Sequence, residues 1–333
     1  MTLFEEEGLK LKIERGNRVF PESDKSSDVI SVLRRMLKKS GICINYDTCI
    51  KDIEVIHNTI KGVILDNNEK ILCDALIMAT GGASYPITGS DGKGMKILEK
   101  HGHTIKELRP ALVPMNVKEE FVKEMQGLSL KNISVSFYRN DKKMKKPVYE
   151  EFGEMLFTHF GVSGPVILSA SSYIGKYLKD ESMTLLIDLK PALSTEQLND
   201  RILRDFENCI NKDFRNSLDT LLPKKMIPII IDYCKIDPFK KVNIISKEER
   251  LTLVNSLKKF TITVSSLRGL NEAIITQGGI NVKEIDPATM ESKIIKNLYL
   301  AGEMIDIDAL TGGYNLQLAW STGHLAGQLL SNN

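Results

Sequence analysis

The sequence predicts an α/β fold built from both ends of the chain, with a β-rich insert and a helical segment between them. Two observations carry this. Near the C-terminus an apolar run, Leu298 to Ala301, ends on Gly302-Glu303. Two acids follow at Asp306 and Asp308, and the turn Thr311-Gly312-Gly313 then opens an amphipathic run. In the first third of the chain, Asp74 to Gly82 (DALIMATGG) is a second short apolar strand, ending in Thr80-Gly81-Gly82. Buried strands that deliver glycines and acids to their carboxyl ends mark the place where open α/β folds bind nucleotide cofactors. A glycine turn lets a ligand approach backbone N–H groups at a helix N-terminus, where the dipole favours negative charge.

The intervening elements follow in order. Ser26 to Ser40 reads as a helix, with Ser26 or Ser27 as N-cap and an apolar stripe of Val29, Ile30, Leu33, Met36 and Leu37. Gly41 stops it, and Ile42-Cys43-Ile44 reads as a strand. Asp52 to Leu72 reads as a strand meander, turning at Asn67-Asn68. Asp91 to His101 is a short helix after the turn Thr88-Gly89-Ser90. From Val113 to Leu189, alternating runs such as Ile133-Val135-Phe137 predict strands separated by Pro and Gly. Ser194 to Lys258 is helical, opened by a capping box in Ser194-Thr195-Glu196-Gln197. Phe260 to Val264 returns to strand. The expected division is 1–112 for the first part of the nucleotide domain, 113–190 for the insert, 191–259 for the helical segment and 260–333 for the second part.

Composition narrows the classes. Hydrophobic content is 42% and charged content 26%, as in ordinary globular chains. The net charge of +2 gives no reason to expect a nucleic-acid partner. The short basic run Lys142-Lys143-Met144-Lys145-Lys146 reads as a solvated hairpin tip. The five cysteines form no CxxC pair and no Cys/His cluster with zinc-ligand spacing, so no metal site is expected, and an odd, scattered count fits reduced thiols in a cytoplasm. No apolar run approaches the ~18–20 residues of a membrane span, so no membrane partner is expected. Gly161-Val162-Ser163-Gly164 has the wrong spacing for a nucleophile elbow, which argues against a hydrolase.

Five collinear segments resemble one family. They are RGNRVFP from Arg15, ATGGASYPITGS from Ala79, LFTHFGVSGP from Leu156, TQGGINVKEIDPATMESK from Thr276, and the closing AGE…TGGYNLQ. Together they are similar to bacterial FAD-binding flavoproteins of the aminoacetone oxidase and bile-acid reductase type. The resemblance runs nearly end to end. It implies a Rossmann-type FAD-binding domain, a β-barrel-like insert and a helical segment, with FAD held non-covalently. Two positions depart from the family pattern: Lys93 stands where an acid is usual and Met95 where an aromatic is usual.

The resemblance also assigns roles. Thr80, Gly81 and Gly82 allow close approach of the dinucleotide. Gly302 and Glu303, with Asp306 in preference to Asp308, meet the ribityl or ribose hydroxyls, since a carboxylate accepts two or more hydrogen bonds from a polyol. Gly312, Gly313, Tyr314, Asn315, Leu316 and Gln317 form a helix start whose N–H groups stabilise charge at the N1–C2=O end of the flavin. His159 is the candidate catalytic acid/base, because its ordinary pKa lets it exchange protons near neutrality. Arg18 and Tyr85 are candidate contacts to the substrate or ring, while Trp320 and His324 read as structural.

The expected function is an FAD-dependent oxidoreductase acting on a small organic substrate, with hydride passing through flavin N5. Either NAD(P)H, visiting transiently, recharges the flavin to reduce an activated C=C bond, or oxygen takes electrons from a small amine or amino ketone. The family opens with a βαβ unit carrying GxGxxG, and none of the 23 glycines here forms that motif. The expectation from this is an N-terminally truncated chain with an unpaired apolar sheet edge. The alternative function is therefore a cofactor-poor remnant or binding protein without catalysis.

Overall fold

The computed structural model describes residues 1–14, 17–140 and 146–328. Along the chain the strands are β1 Leu11–Glu14, β2 Arg18–Pro21, β3 Ile50–Ile56, β4 Thr59–Leu65, β5 Lys70–Leu72, β6 Leu76–Met78, β7 Ile105–Ala111, β8 Met115–Val117, β9 Ser129–Arg139, β10 Tyr149–Phe157, β11 Gly161–Ser163, β12 Met183–Asp188, β13 Phe260–Leu267, β14 Ile275–Ile280 and β15 Leu298–Leu300. The helices are α1 Thr2–Glu6, α2 Ser26–Lys39, α3 Lys93–Lys100, α4 Pro165–Ile174, α5 Thr195–Glu207, α6 Ile227–Cys234, α7 Lys247–Lys258 and α8 Tyr314–Gln328. They fall into two compact units, Met1–Gly82 with Gly89–Glu107 and Gly278–Asn333, and Ala83–Thr88 with Leu108–Gln277.

In the first unit, β6 and β15 lie parallel, with Leu76 opposite Leu298 and Met78 opposite Leu300. Leu298, Tyr299 and Leu300 are all buried, as a strand covered on both faces requires. The far side of β15 is also occupied: the Leu300 N–H donates to Met290 O at 3.0 Å and Ser292 N–H to Leu298 O at 2.7 Å. The second edge of β6 carries no strand among the described residues. The meander β3–β4–β5 is antiparallel, and Asn68 takes φ +66° in its last turn. Helix α3 packs on β3, where His101 Nε2 lies 2.8 Å from Asp52 Oδ1.

The second unit is a closed six-stranded barrel in the order β10-β11-β8-β13-β12-β9. Alternate residues point inward, as the two-residue strand period dictates: Ile133, Val135 and Phe137 on β9, and Met183, Leu185 and Ile187 on β12, are buried. Helices α5, α6 and α7 join the same apolar core through residues such as Ile202, Ile230 and Leu257. Two of the helices start with side-chain caps. Ser194 and Gln197, then Ser246 and Glu249, form reciprocal capping boxes at α5 and α7.

Several boundaries differ from expectation. The compact units do not follow the division at 112, 190 and 259. β13 pairs with both β12 and β8, so it closes the barrel, and the helical segment shares the barrel's core. Ile42 and Ile44 are exposed and form no strand, since nothing pairs with them among the described residues. Helix α4 interrupts the β-rich stretch, started by Pro165 in the first turn, where proline is tolerated. Lys142 to Lys145 of the basic run, and Arg15 and Gly16 of the first motif, lie outside the described residues.

Candidate functional site

The β6–β15 register places two glycine turns side by side. Beyond the paired strands, Ala301 N–H still donates to Met78 O at 3.0 Å. Thr80-Gly81-Gly82 therefore leaves one strand next to Gly302-Glu303 leaving the other. Gly81 has φ +74°, and a Cβ there would come within 2.9 Å of Ser90 Oγ. Gly82 accepts the Gly92 N–H at 3.1 Å, which ties the turn to the start of α3. Within α3, Gly94 packs directly on Thr80, and any Cβ would collide with the Thr80 hydroxyl.

Gly302, at φ +75°, opens a short 3-10 turn over Gly302–Met304. Its N–H donates to Thr322 Oγ1 of α8 at 2.9 Å, while Thr322 donates to Leu318 O at 2.7 Å. Glu303, Asp306 and Asp308 are half-buried. The Asp306 backbone is fixed by its N–H donating to Ile280 O at 2.9 Å. Its carboxylate has no side-chain partner among the described residues. Ile280 reaches this position because Gly279 precedes it: at φ +136°, a Cβ there would sit 2.6 Å from Met304 O.

Helix α8 enters through Gly312 (φ +131°) and Gly313 (φ +88°). A Cβ on Gly312 would meet the Tyr314 ring at 2.9 Å, whereas nothing lies within 4 Å of one on Gly313. The first helical bond runs from Gln317 N–H to Gly313 O at 3.0 Å, so that N–H is already used. The N–H groups of Tyr314, Asn315 and Leu316 precede it and have no acceptor within the helix. The Asn315 side chain clamps the approach loop, accepting from Ala309 N–H (2.9 Å) and donating to Ala309 O (2.7 Å). Gln317 Nε2 donates to Ser321 Oγ at 3.0 Å. Tyr314 and Leu316 are exposed. Trp320 packs edge-on against Phe4 at 5.5 Å, and His324 is exposed with Gln328 beside it.

The first unit thus holds all the residues assigned to the dinucleotide from Thr80 to Gln317. They fit such a group: a carboxylate without a partner, turns in which glycine conformations are required, and helix-start N–H groups behind open space at Gly313. His159 belongs to the second unit, on the turn between β10 and β11. Its imidazole is exposed, packs on the Phe160 ring at 4.9 Å and makes no side-chain hydrogen bond among the described residues. Tyr85, also in the second unit, is 46% exposed at φ +52°. Arg18 is exposed on β2. Lys93 is an exposed partner of Asp91 at 3.0 Å, and Met95 is buried. Gly94, Gly279 and Thr322 carry the geometry of the site and went unassigned in the sequence reading. Gly279 lay within the TQGGIN segment, but a packing glycine and a flexible one look alike in sequence. No helix among the described residues is long and apolar enough to cross a membrane.

Parallel strands ending in paired glycine turns beside a glycine-entered helix define a Rossmann-type dinucleotide-binding domain joined to a six-stranded barrel. The chain belongs to the HI0933-like family of FAD-dependent Rossmann proteins, whose HI0933-like protein Rossmann domain matches residues 1–329. It is similar to a 3-dehydro-bile acid delta(4,6)-reductase of Clostridium scindens, 29% identical over 94% of this chain and 75% of the relative. A ribosomal RNA dihydrouridine synthase of Haemophilus influenzae is also 29% identical, over 97% of this chain and 77% of the relative. Among solved structures, a quinol-fumarate reductase chain aligns over 99% of this chain at 18% identity and a TM-score of 0.46. This chain spans 55% of that one.

Proposed function

We propose that this chain is an FAD-dependent oxidoreductase that reduces an activated C=C bond in a small organic substrate, with NAD(P)H as the transient donor. The observation that carries the reading is the β6–β15 pairing, which sets Thr80–Gly82 beside Gly302–Glu303 and Asp306 in the same unit as the α8 N-terminus. When bound, the flavin supplies a two-electron carrier whose N5 gives or takes a hydride. The α8 N–H groups of Tyr314 to Leu316 favour negative charge on whatever faces them, without titrating. Asp306 and Glu303 accept hydrogen bonds from ribityl or ribose hydroxyls. Gly81, Gly302 and Gly313 let the dinucleotide approach the backbone. The choice of reduction over oxidation is supported by the name of one relative, a reductase of a 3-dehydro-bile acid.

The test is an absorbance spectrum of the purified chain before and after adding FAD and desalting. Retained bands near ~450 nm support the reading. Anaerobic bleaching by NAD(P)H, followed by re-oxidation with a conjugated enone, then distinguishes a reductase from an oxidase recharged only by oxygen. A uridine-containing RNA belongs in the same acceptor panel. A colourless chain that retains no added FAD would overturn the reading and favour a cofactor-poor binding protein.

A further inference from the structure

Among the described residues, five arginines are half-buried: Arg109, Arg139, Arg201, Arg250 and Arg268. Four of them engage an oxygen through Nε. Arg139 Nε donates to Glu181 Oε1 at 2.6 Å, Arg250 Nε to Asn199 Oδ1 at 2.9 Å and Arg268 Nε to Glu272 Oε1 at 2.8 Å, while Arg201 Nε lies 3.7 Å from Asp205 Oδ2. Arg109 has no such partner. Its Nε is shut away from solvent without a hydrogen bond, and no carboxylate pairs with the guanidinium among the described residues. The two Nη nitrogens also lack a protein acceptor, but they are not shut away, so that end of the fork faces out.

The surroundings share this deficit. Arg109 lies on β7, which pairs with β14. Ile274 N–H donates to Leu112 O at 3.3 Å and Asn281 N–H to Thr104 O at 3.0 Å, so the strands run antiparallel and Gln277 falls level with Arg109. Gln277 Nε2 donates to Ser172 O in the last turn of α4 at 3.5 Å, and Ser171 Oγ accepts the Val113 N–H at 3.1 Å. The Ser172 hydroxyl is itself buried without a partner. Two of the three buried side-chain atoms left unpaired among the described residues therefore belong to this stretch of β7, β14 and α4. An arginine does not relieve half-burial by giving up its proton, and a partly desolvated charge without a counter-ion costs stability. A guanidinium placed for packing alone would engage a neighbouring oxygen, as the other four do.

We propose that Arg109 is an oxyanion-binding site in the second unit, where its two Nη–H groups donate side by side to two oxygens of a carboxylate or a phosphate group. The buried Nε holds the plane of the fork. The site goes beyond the oxidoreductase reading and does not require flavin.

The experiment is an NMR titration of the arginine Nε–H groups of the full chain, with sodium acetate or sodium phosphate replacing chloride at constant ionic strength. The cross-peak lost in Arg109→Lys assigns Arg109. The expected result is a saturable shift of that peak, with those of the other half-buried arginines unmoved. Tighter saturation by acetate identifies a carboxylate ligand, and tighter saturation by phosphate a phosphorylated one. The saturating anion should raise the thermal midpoint of the parent and not that of Arg109→Met. In chloride, Arg109→Met should melt no lower than the parent, because it removes an unpaired, half-buried charge. Arg109→Lys keeps the charge without the planar fork and should raise the midpoint less than the parent does at the same anion concentration, with affinity about tenfold weaker. No saturable shift in either salt, a shift common to all five arginines, or an Arg109→Met midpoint several degrees below the parent overturns the proposal, the last by making Arg109 a packing residue. A chain that takes up no FAD yet shows the Arg109 shift loses the flavin reading and keeps this site.

Discussion

The Gly302 N–H and the Thr322 hydroxyl meet at 2.9 Å, and this bond joins the AGE turn to the last helix. Thr322 cannot be replaced by an apolar isostere without orphaning that N–H. Thr322→Val should cost about 1–3 kcal/mol, read by chemical denaturation, and should weaken FAD retention. Thr322→Ser keeps the hydroxyl and should restore both.

Gly279 and Gly313 separate packing from conformation. Gly279→Ala places a Cβ against Met304 O as well as straining φ, so it should destabilise by more than the ~1–3 kcal/mol of a strained backbone alone. Gly313→Ala meets no atom and should cost only the conformational part, leaving the thermal midpoint within a few degrees. Its FAD affinity should fall nonetheless, because the new methyl occupies the open space before the helix. Equal midpoints for the two variants would contradict this account of the Gly279 contact.

Asp306→Asn should leave folding unchanged, since the carboxylate has no side-chain partner among the described residues and the position is held through its backbone N–H. FAD affinity, measured by quenching of flavin fluorescence, should drop about tenfold if the carboxylate accepts a polyol hydrogen bond, at ~1.4 kcal/mol for that factor. An affinity within twofold of the parent would remove Asp306 from the site.

His103 makes stability pH-dependent. Its side chain is buried, with Nε2 3.0 Å from Ser292 Oγ and Nδ1 3.4 Å from Glu284 Oε2. Ser292 Oγ accepts from two backbone N–H groups, so its own hydrogen goes to His103 Nε2, and the neutral ring carries its proton on Nδ1. Burial pushes the His103 pKa below its ordinary value, with Glu284 opposing. The unfolded chain then binds the proton more readily than the folded one. Stability is therefore full above about pH 6.5 and falls as pH drops below it. Urea unfolding between about pH 7 and 5 should show this slope, and His103→Gln should flatten it.

Much of this was legible in the chain, and the rest was hidden for identifiable reasons. The DALIMATGG and NLYLAGE strands were readable because each is a short apolar run closed by glycine, and the two together, in that order, carry more than either alone. The Ser194 capping box was readable because it is local. β13's place in the barrel was not, since strand partners lie far apart in sequence and alternation does not name them. Ile42 to Ile44 has the composition of a strand but finds no partner among the described residues. Thr322 was invisible because its role is set by a turn twenty residues earlier, and a helical threonine bonded to Leu318 O looks ordinary on its own.

The pairing of Leu76 with Leu298 and of Met78 with Leu300 has a further consequence. Two stretches of chain separated by the whole barrel share a single alignment. A one-residue deletion between Cys73 and Ala75 would slide the first glycine turn by about 3.3 Å and turn its side chains to the opposite face. The second turn would stay where it was. The length of each approach to the cofactor is therefore set jointly, and a change in one tolerates survival only with a matching change in the other.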